Sequence, residues 1–343
     1  MIVPIPPISL FTVNSMFEIK TPSRVHMTLI DMNGHFGRID GSVGLALEGG
    51  GIHLRAKRSD TVTVTERFGS GPSDTKLCSA AFSKQISDII APLLPENEGV
   101  GFEFLSPIRP HVGLGSGTQI ALSAATAVND LYSLGKSVRE LAKIARRGGT
   151  SGIGVLAFEK GGFIVDCGHK KADKDGFLPS SKSTAPPADL MLRMEFPDWD
   201  TVIAIPPARG ISGEEEKRFF RSVCPVPIED VREISHIVLM QMLPAIVEQN
   251  IEELGKSVNR IQELGFKKYE VEIQPPVVKE TAELMLKSGL HGAGVSSFGP
   301  AVFGFSEGRR QSEEIREILL EKMPAGSEIL ITKANNTGAE YYV

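Results

Sequence analysis

Apolar and polar residues alternate with a period of two through much of the first third of the chain. This pattern predicts strands at residues 17–20, 24–31, 43–47, 52–57, 61–66 and 101–105. Helical spacing predicts helices at 80–94, 120–134 and 138–146, the last capped by Ser137 and ending in Arg146 and Arg147. Two more strands are predicted at 154–158 and 162–167. A Ser- and Pro-rich break follows at 179–187. Beyond it, strands at 191–195 and 201–205 precede helices near 214–221, 228–248, 251–264 and 276–288. Strands at 294–297 and 301–305 flank a Ser-Phe-Gly-Pro turn, and a helix at 311–321 and a strand at 328–332 close the pattern. No internal repeat is visible. Irregular alternation of this kind argues for an α+β protein of two lobes rather than a doubly wound sheet. The division it suggests is an N-terminal extension (1–15), an N-terminal domain (16–183) and a C-terminal domain (184–343).

The most informative stretch joins a strand region to a helix: Arg109-Pro-His-Val-Gly-Leu-Gly-Ser-Gly-Thr-Gln119. Gly113, Gly115 and Gly117 lack side chains that would hold a ligand off the backbone, and glycine tolerates positive φ. A helix start carries unpaired N–H groups and a partial positive charge. Together these features cradle phosphate or diphosphate. The alternative is a tight turn that only lets the helix start pack closely. Three alternating glycines with Ser116 and Thr118 favour the anion site. The dipole is worth roughly 0.3–1 kcal/mol, and up to ~2 when partly buried, so basic residues or a metal must supply the rest. Two look-alikes fail. Gly135-Lys136-Ser137 lacks the earlier glycine of a P-loop, where Asp130 stands. Gly115-Ser-Gly117 lacks the third glycine of a dinucleotide fingerprint, where Ile120 stands.

Composition narrows the function classes. The chain has 343 residues, 41% hydrophobic and 23% charged, with a net charge of −5. That supports a large core and gives no general attraction to nucleic acid or membrane. Cys78, Cys167 and Cys224 are isolated, which suggests a reducing cytoplasm and no zinc site. No apolar run reaches membrane-spanning length. The Pro-rich start lacks the form of a signal peptide, and Met16 is an alternative start to Met1.

Three motifs in order resemble the GHMP small-molecule kinase superfamily. They are Pro22-Ser-Arg-Val-His-Met-Thr-Leu-Ile-Asp31, the glycine loop, and Gly292-Ala-Gly-Val-Ser-Ser-Phe-Gly-Pro-Ala301. The fold this implies has a β-rich N-terminal lobe like ribosomal protein S5 and a ferredoxin-like C-terminal lobe. Further stretches, Gly37–Leu45, Gly148–Val155 and Gly161–His169, are most similar to a phosphoribosyl-transferring branch of that superfamily. That branch joins 5-phosphoribosyl diphosphate to 4-aminobenzoate or 4-hydroxybenzoate in methanopterin biosynthesis, releasing carbon dioxide and diphosphate. Mevalonate-type kinases carry an aspartate base right after a Ser-Gly-x element. Here Ser151-Gly-Ile is followed by Gly154, which cannot accept a proton.

The resemblance implies substrate or phosphate contacts by Arg24, His111, Gly113, Leu114, Gly115, Ser116, Gly117, Thr118, Gln119, Gly292, Gly294 and Ser296. It also implies catalytic roles for Asp31 and Arg38. An arginine fork matches a benzoate carboxylate, and Asp31 would face the developing sugar cation or take a proton from the acceptor. The alternative for this pair is that Asp31 caps its own turn and Arg38 pairs with Asp40. Magnesium on the diphosphate is expected, with its ligands unassigned. No pyridoxal phosphate is expected, because the acceptor ring can delocalise charge itself. A cytoplasmic homodimer is implied as well. His26 and His169 read as structural residues, and Arg24 and Arg109 as either phosphate contacts or ordinary ion pairs. Ser180-Ser-Lys-Ser183 reads as a phosphate-contacting turn or a simple link. The run Glu214–Arg218 reads as a solvated helix start. Competing functions are an ATP-dependent kinase of a small alcohol and a nucleotide-binding regulator without turnover.

Overall fold

A computed structural model describes residues 16–69, 74–180, 182–211 and 213–342. The extension 1–15 lies outside the described residues. The N-terminal lobe contains β1 (Met16–Lys20), β2 (Ser23–Asp31), β3 (Arg38–Leu47), β4 (His53–Ser59), β5 (Thr63–Arg67), β6 (Thr75–Leu77), α1 (Ala80–Ile90), β7 (Gly99–Phe104), α2 (Ser116–Leu131), α3 (Val138–Ile144), α4 (Ile153–Lys160), β8 (Phe163–Asp166), β9 (His169–Lys170) and β10 (Leu190–Met194). The second lobe runs β11 (Asp200–Ile205), α5 (Glu214–Val223), α6 (Ile228–Ile237), α7 (Leu243–Val247), α8 (Ile251–Ile261), α9 (Gly265–Glu272), α10 (Pro276–Lys287), β12 (His291–Val295), β13 (Val302–Ser306), α11 (Arg309–Lys322) and β14 (Glu328–Lys333), and the chain ends in β15 (Glu340–Tyr342).

The N-terminal lobe has two sheets, ordered β15-β1-β4-β7-β5-β6 and β10-β8-β3-β2. Helix α2 packs on β1 and β4 of the first sheet, and α4 packs on β2, β3 and β8 of the second. The two helices also touch each other. Small residues make this possible: Ala121, Ser123, Ala124, Ala125 and Ala127 of α2 are all buried. The C-terminal sheet is ordered β12-β13-β11-β14 and antiparallel throughout, the ferredoxin-like arrangement.

Two apolar clusters join the lobes. One brings Val25, Met27 and Leu114 to Trp199, Phe303 and Phe305. The other brings Leu29 and Met32 to Phe220, Phe266 and Phe298. Each fully buried side chain of this size contributes roughly 1.5–3 kcal/mol, so the lobes are held as one body.

Three expectations need correction. Residues 154–158, expected as a strand, lie in helix α4. Its residues 153–158 are all buried, and a short apolar run carries no periodicity that separates strand from helix. The boundary at 183/184 also fails to match the pairing. β10 adds to β8, and β15 adds to β1, so the chain's last strand returns to the first lobe. The long helix at 228–248 is interrupted by a π-helical turn at Val238–Met242 ahead of Pro244, which has no N–H to continue the ladder.

Candidate active site

The glycine loop ends at Gly115, the N-cap of α2, with φ 79°. Gly113 has φ 94°, and a Cβ there would stand 2.4 Å from the Ser296 carbonyl oxygen. A Cβ on Gly115 would stand 2.9 Å from Arg24 Cγ. Both positions therefore require glycine for conformation and for space. A Cβ on Gly117 would meet only the Arg147 guanidinium, at 3.7 Å. The first helical bonds run from Thr118 and Gln119 N–H to the Gly115 carbonyl. The N–H groups of Ser116 and Gly117 precede that ladder and have no partner within it.

Other loop residues hold the cradle in shape. Ser116 Oγ donates to the Arg109 carbonyl at 2.8 Å. Leu114 is buried in the core, and its carbonyl accepts from the Arg24 N–H at 3.1 Å. Gln119 Nε2 donates to the Gly154 carbonyl at 2.8 Å. A Cβ on Gly154 would come within 3.1 Å of the Thr118 side chain, so α4 packs closely on the start of α2 here. Ser296 Oγ accepts from the His26 N–H at 3.0 Å and donates to the Gly113 carbonyl at 2.7 Å.

Around the cradle stand cationic and imidazole groups with sealed nitrogen atoms that have no partner among the described residues. Arg24 Nη1 donates to the Gly113 carbonyl, while its Nε is sealed and unbonded. Burial pulls the Arg24 guanidinium down to about 10, opposed by the charge of Glu270. Arg147 Nε is likewise sealed and unbonded, and burial lowers its proton affinity too. His26 is buried with both ring nitrogens unbonded. Burial, with Lys267 and Arg24 adding to it, holds its imidazole well below the usual range, so it is neutral. A buried polar group without a partner is costly. Three of them around one cavity mark a place that a polar ligand completes.

A second helix start, that of α4, faces the same cavity. Asp166 accepts from the Gly152 and Gly168 N–H groups, each at 2.8 Å. Burial, with Asp40 adding to it, outweighs those bonds and pushes its carboxyl up to about 6. Beneath lies a buried network. Asp40 takes His169 Nδ1 at 2.6 Å and Lys174 Nζ at 2.8 Å, and Lys174 reaches Thr150 Oγ1 at 3.0 Å. His169 Nε2 meets the Pro186 carbonyl at 2.9 Å. The network fixes Thr150, which lines the cavity.

The cavity is a cleft of about 570 Å³. One wall is the glycine loop with Arg24, His26, His111, Arg147, Thr150, Ser151, Ser180 and Lys182. The other wall carries Leu29, Phe220 and Phe298 beside Glu216 and Glu270. A second hollow of about 550 Å³ opens at Lys20, Glu48, Asp198 and Lys333. It has no glycine loop, and Lys333 is paired with Asp198 and Asp200, so the chemistry points to the first.

Gly113, Gly115, Ser116, Gly117, Thr118, Arg24 and His111 come together on the cleft wall. Leu114, Gln119 and Ser296 brace it from behind. Gly292 packs on the Gly255 backbone and Gly294 on Phe303, so these glycines allow close helix and sheet packing rather than line the cleft. Asp31 Oδ1 accepts from the N–H groups of Asn33 at 2.9 Å and Gly34 at 2.8 Å, a cap on its own turn. Arg38 is exposed at the start of β3, opposite Lys170. Neither lines the cleft. Asp40 is engaged by His169 and Lys174, so the alternative Arg38–Asp40 pair does not form. Arg109 pairs with Glu328 at 2.7 Å. Ser180 and Lys182 are more than a link, since both reach the cleft.

Sequence reasoning missed Arg147, Glu216, Glu270 and the aromatic wall as site residues. One available signal was the spacing of Glu216 and Phe220, four apart and so on one helix face. Among the described residues no group of three or more His, Cys, Asp or Glu side chains could hold a metal ion, and no helix is long and apolar enough to cross a membrane.

The chain has counterparts among known proteins. The family model described as GHMP kinases N terminal domain matches residues 78–162, and that described as GHMP kinases C terminal matches 242–325. The chain belongs to the GHMP kinase family. Within it, the chain is 44% identical to the beta-ribofuranosylphenol 5′-phosphate synthase of Archaeoglobus fulgidus, covering 96% of this chain and 100% of that one. It is 40% identical to the protein of the same name from Methanocaldococcus jannaschii, covering 93% and 98%. It is a ribosyl-transferring enzyme of glycosyltransferase type. A homoserine kinase of Methanocella arvoryzae is 26% identical, covering 76% of this chain and 77% of that one. Among solved structures, homoserine kinase from Cytophaga hutchinsonii aligns with TM-score 0.64 at 16% identity, covering 98% of this chain and 100% of that one. L. major mevalonate kinase in complex with R-mevalonate aligns with TM-score 0.65 at 13% identity, covering 93% and 96%. These two likenesses concern the fold alone.

Proposed function

We propose that the enzyme transfers a phosphoribosyl group from 5-phosphoribosyl diphosphate to the carboxylate-bearing ring carbon of a 4-substituted benzoate. It releases diphosphate and carbon dioxide and forms a carbon–carbon riboside, as a step of methanopterin biosynthesis. The observation that carries this reading is a single cleft in which an anion cradle with Arg24 and Arg147, each with a sealed and unbonded Nε, faces the aromatic wall of Phe220 and Phe298. The names of the full-length relatives supply the phenol, which favours 4-hydroxybenzoate over 4-aminobenzoate as acceptor.

Negative charge grows on the diphosphate as its bond to the ribose carbon breaks. The helix dipole adds roughly 0.3–1 kcal/mol there. A charged hydrogen bond adds roughly 1.5–3 kcal/mol. Arg147 therefore matters more than the helix start, and both act most strongly where charge develops. Magnesium fits this site as a companion of the diphosphate. It needs few protein ligands beyond phosphate oxygens, and the Thr118 and Ser151 hydroxyls are oxygen donors on the wall; it would neutralise the leaving group. The para hydroxyl or amino group of the acceptor delocalises the charge left on the ring, so the proposal includes no pyridoxal phosphate. The resemblance adds catalytic roles for Asp31 and Arg38 and a cytoplasmic homodimer. Light scattering on the purified protein tests the dimer.

The second reading is ATP-dependent phosphorylation of a small alcohol, favoured by the kinase relatives and by the presence of Glu216 and Glu270 in the cleft. Product analysis separates the two. Ribosyl transfer gives diphosphate and a riboside without ATP, whereas the kinase gives ADP with an alcohol and no reaction with the sugar diphosphate.

A further inference from the structure

Helix α5 opens with three glutamates, and they have three different surroundings. Glu214 pairs with Lys182 at 2.7 Å, and Glu215 is exposed. Glu216 turns into the cleft, one helical turn before Phe220, which lines the same wall. Phe298 stands 6.1 Å from Phe220, ring centre to ring centre, and Leu29 joins the same apolar cluster. Glu216 and the aromatic pair therefore share one wall of the cleft. Glu270, on α9, lines the cleft beside it and is ion-paired with Lys267 at 2.5 Å. Glu216 has no ion pair among the described residues.

The charged and titratable groups that line the cleft with Glu216 are Arg24 and His26 from β2, Arg147 after α3, His111 before α2, Lys182 from the linker and Glu270 from α9. Of these, Lys182 is engaged by Glu214 and Glu270 by Lys267. His26, buried with both ring nitrogens unbonded, is an independent sign that a polar ligand group belongs on this floor.

We propose that Glu216 is a catalytic residue of the ribosyl transfer, the acceptor of the proton from the para hydroxyl or amino group of the aromatic substrate, and that Glu270, which lines the same cleft, is a positioning residue. This rests on the ribosyl-transfer reading above. The ring carbon bonds to the ribose carbon while the carbon–oxygen bond to diphosphate breaks, its electron pair leaving with diphosphate. The ring is now cationic, and the para O–H or N–H proton passes to the Glu216 carboxylate, leaving a neutral dienone or its imine. The carbon–carboxylate bond then breaks and its electron pair returns to the ring as carbon dioxide leaves. The para oxygen or nitrogen takes the proton back from Glu216, which ends as it began. Burial, with the Glu270 charge adding to it, pushes the Glu216 carboxyl up to about 7, and a group poised near neutrality both takes and returns a proton efficiently.

The test uses the full-length enzyme with Glu216→Gln, Glu216→Asp and Glu270→Gln. Glu216 acts as a carboxylate, so kcat falls as pH drops through about 7. Glu216→Gln is expected to lower kcat by roughly 10²–10⁴-fold, to erase that acid limb, and to leave sugar-diphosphate affinity by calorimetry unchanged. Glu216→Asp keeps the limb at reduced kcat. Glu270→Gln removes a like charge and moves the limb to lower pH. The proposal is overturned if the wild type releases carbon dioxide and riboside while Glu216→Gln keeps its rate and pH profile. It is equally overturned if Glu216→Gln does not fold and either Glu216→Asp lacks the limb or Glu270→Gln leaves it unmoved. If the wild type yields neither product, it is the ribosyl-transfer reading that fails.

Discussion

The hydroxyl of Ser296 donates to the Gly113 carbonyl at 2.7 Å, joining the C-terminal hairpin to the glycine loop of the other lobe. The same oxygen accepts from the buried backbone N–H of His26 at 3.0 Å. One small side chain thus sets the distance between β2, the loop and the hairpin. Ser296→Ala strands a buried donor, which costs roughly 1–3 kcal/mol. Urea unfolding is expected to show that loss together with weaker sugar-diphosphate binding. Unchanged stability and affinity would remove the latch role.

Gly115→Val places a β-branched residue at φ 79°, and its Cβ meets Arg24 at 2.9 Å. Backbone strain alone is about 1–3 kcal/mol, and displacing Arg24 disturbs the cradle further. The expected result is a large rise in the dissociation constant for the sugar diphosphate, read by calorimetry. An unchanged constant contradicts the placement of the diphosphate at this loop.

Arg147 is desolvated and its Nε has no partner among the described residues, so in the empty cleft it weakens the fold more than it supports it. Arg147→Met is expected to keep or raise the melting temperature while weakening sugar-diphosphate binding by roughly 1.5–3 kcal/mol. Loss of stability with unchanged affinity would make Arg147 a structural residue.

His26 contributes an acid sensitivity. Its folded imidazole titrates well below the ordinary 6.5, so under acid the unfolded chain binds a proton that the folded chain refuses. Stability must then fall as pH drops below about 6.5, by up to about 1.4 kcal/mol per pH unit from this group. The stability gap between the wild type and His26→Asn is expected to shrink with that slope. Other groups, including Asp166 with its opposite trend, cancel in the difference. A gap that does not vary with pH would show that the His26 imidazole takes up its proton equally in the folded and unfolded chain.

Asp31→Asn separates two roles. Asparagine keeps an oxygen for the Asn33 and Gly34 N–H groups while removing the charge. The cap geometry leads us to expect that Asn retains most of the turnover that Ala loses. Equal loss in both variants would place the Asp31 charge at the reacting centre, as the resemblance implies. In the same assay, Arg38→Ala is expected to leave both KM values unchanged, because the side chain is exposed outside the cleft; a KM raised for the benzoate more than for the sugar diphosphate would restore the carboxylate fork.

Much of the fold was legible because the period-two and helical patterns are strong where one face is buried, as in β4 and α8. The helix at Ile153–Lys160 was not legible, because its residues 153–158 are all buried and offer no contrast. The glycine loop was legible because its chemistry is local to eleven consecutive residues, 109–119. The opposite wall was not. Glu216 sits in a run that resembles any acidic helix start, and only the packing of Phe220 and Phe298 against β2 turns it inward. Pairing across lobes, which brings Ser296 to Gly113 and β15 to β1, leaves no mark at either position alone.

Carboxyl-labelled 4-hydroxybenzoate, incubated with the enzyme in the presence and absence of 5-phosphoribosyl diphosphate, probes the proposed bond exchange itself. Labelled carbon dioxide should appear only with the sugar diphosphate, in step with diphosphate and without ATP. Label that stays on the ring in both reactions, with ADP formed from an alcohol and ATP, would contradict ribosyl transfer at this cleft.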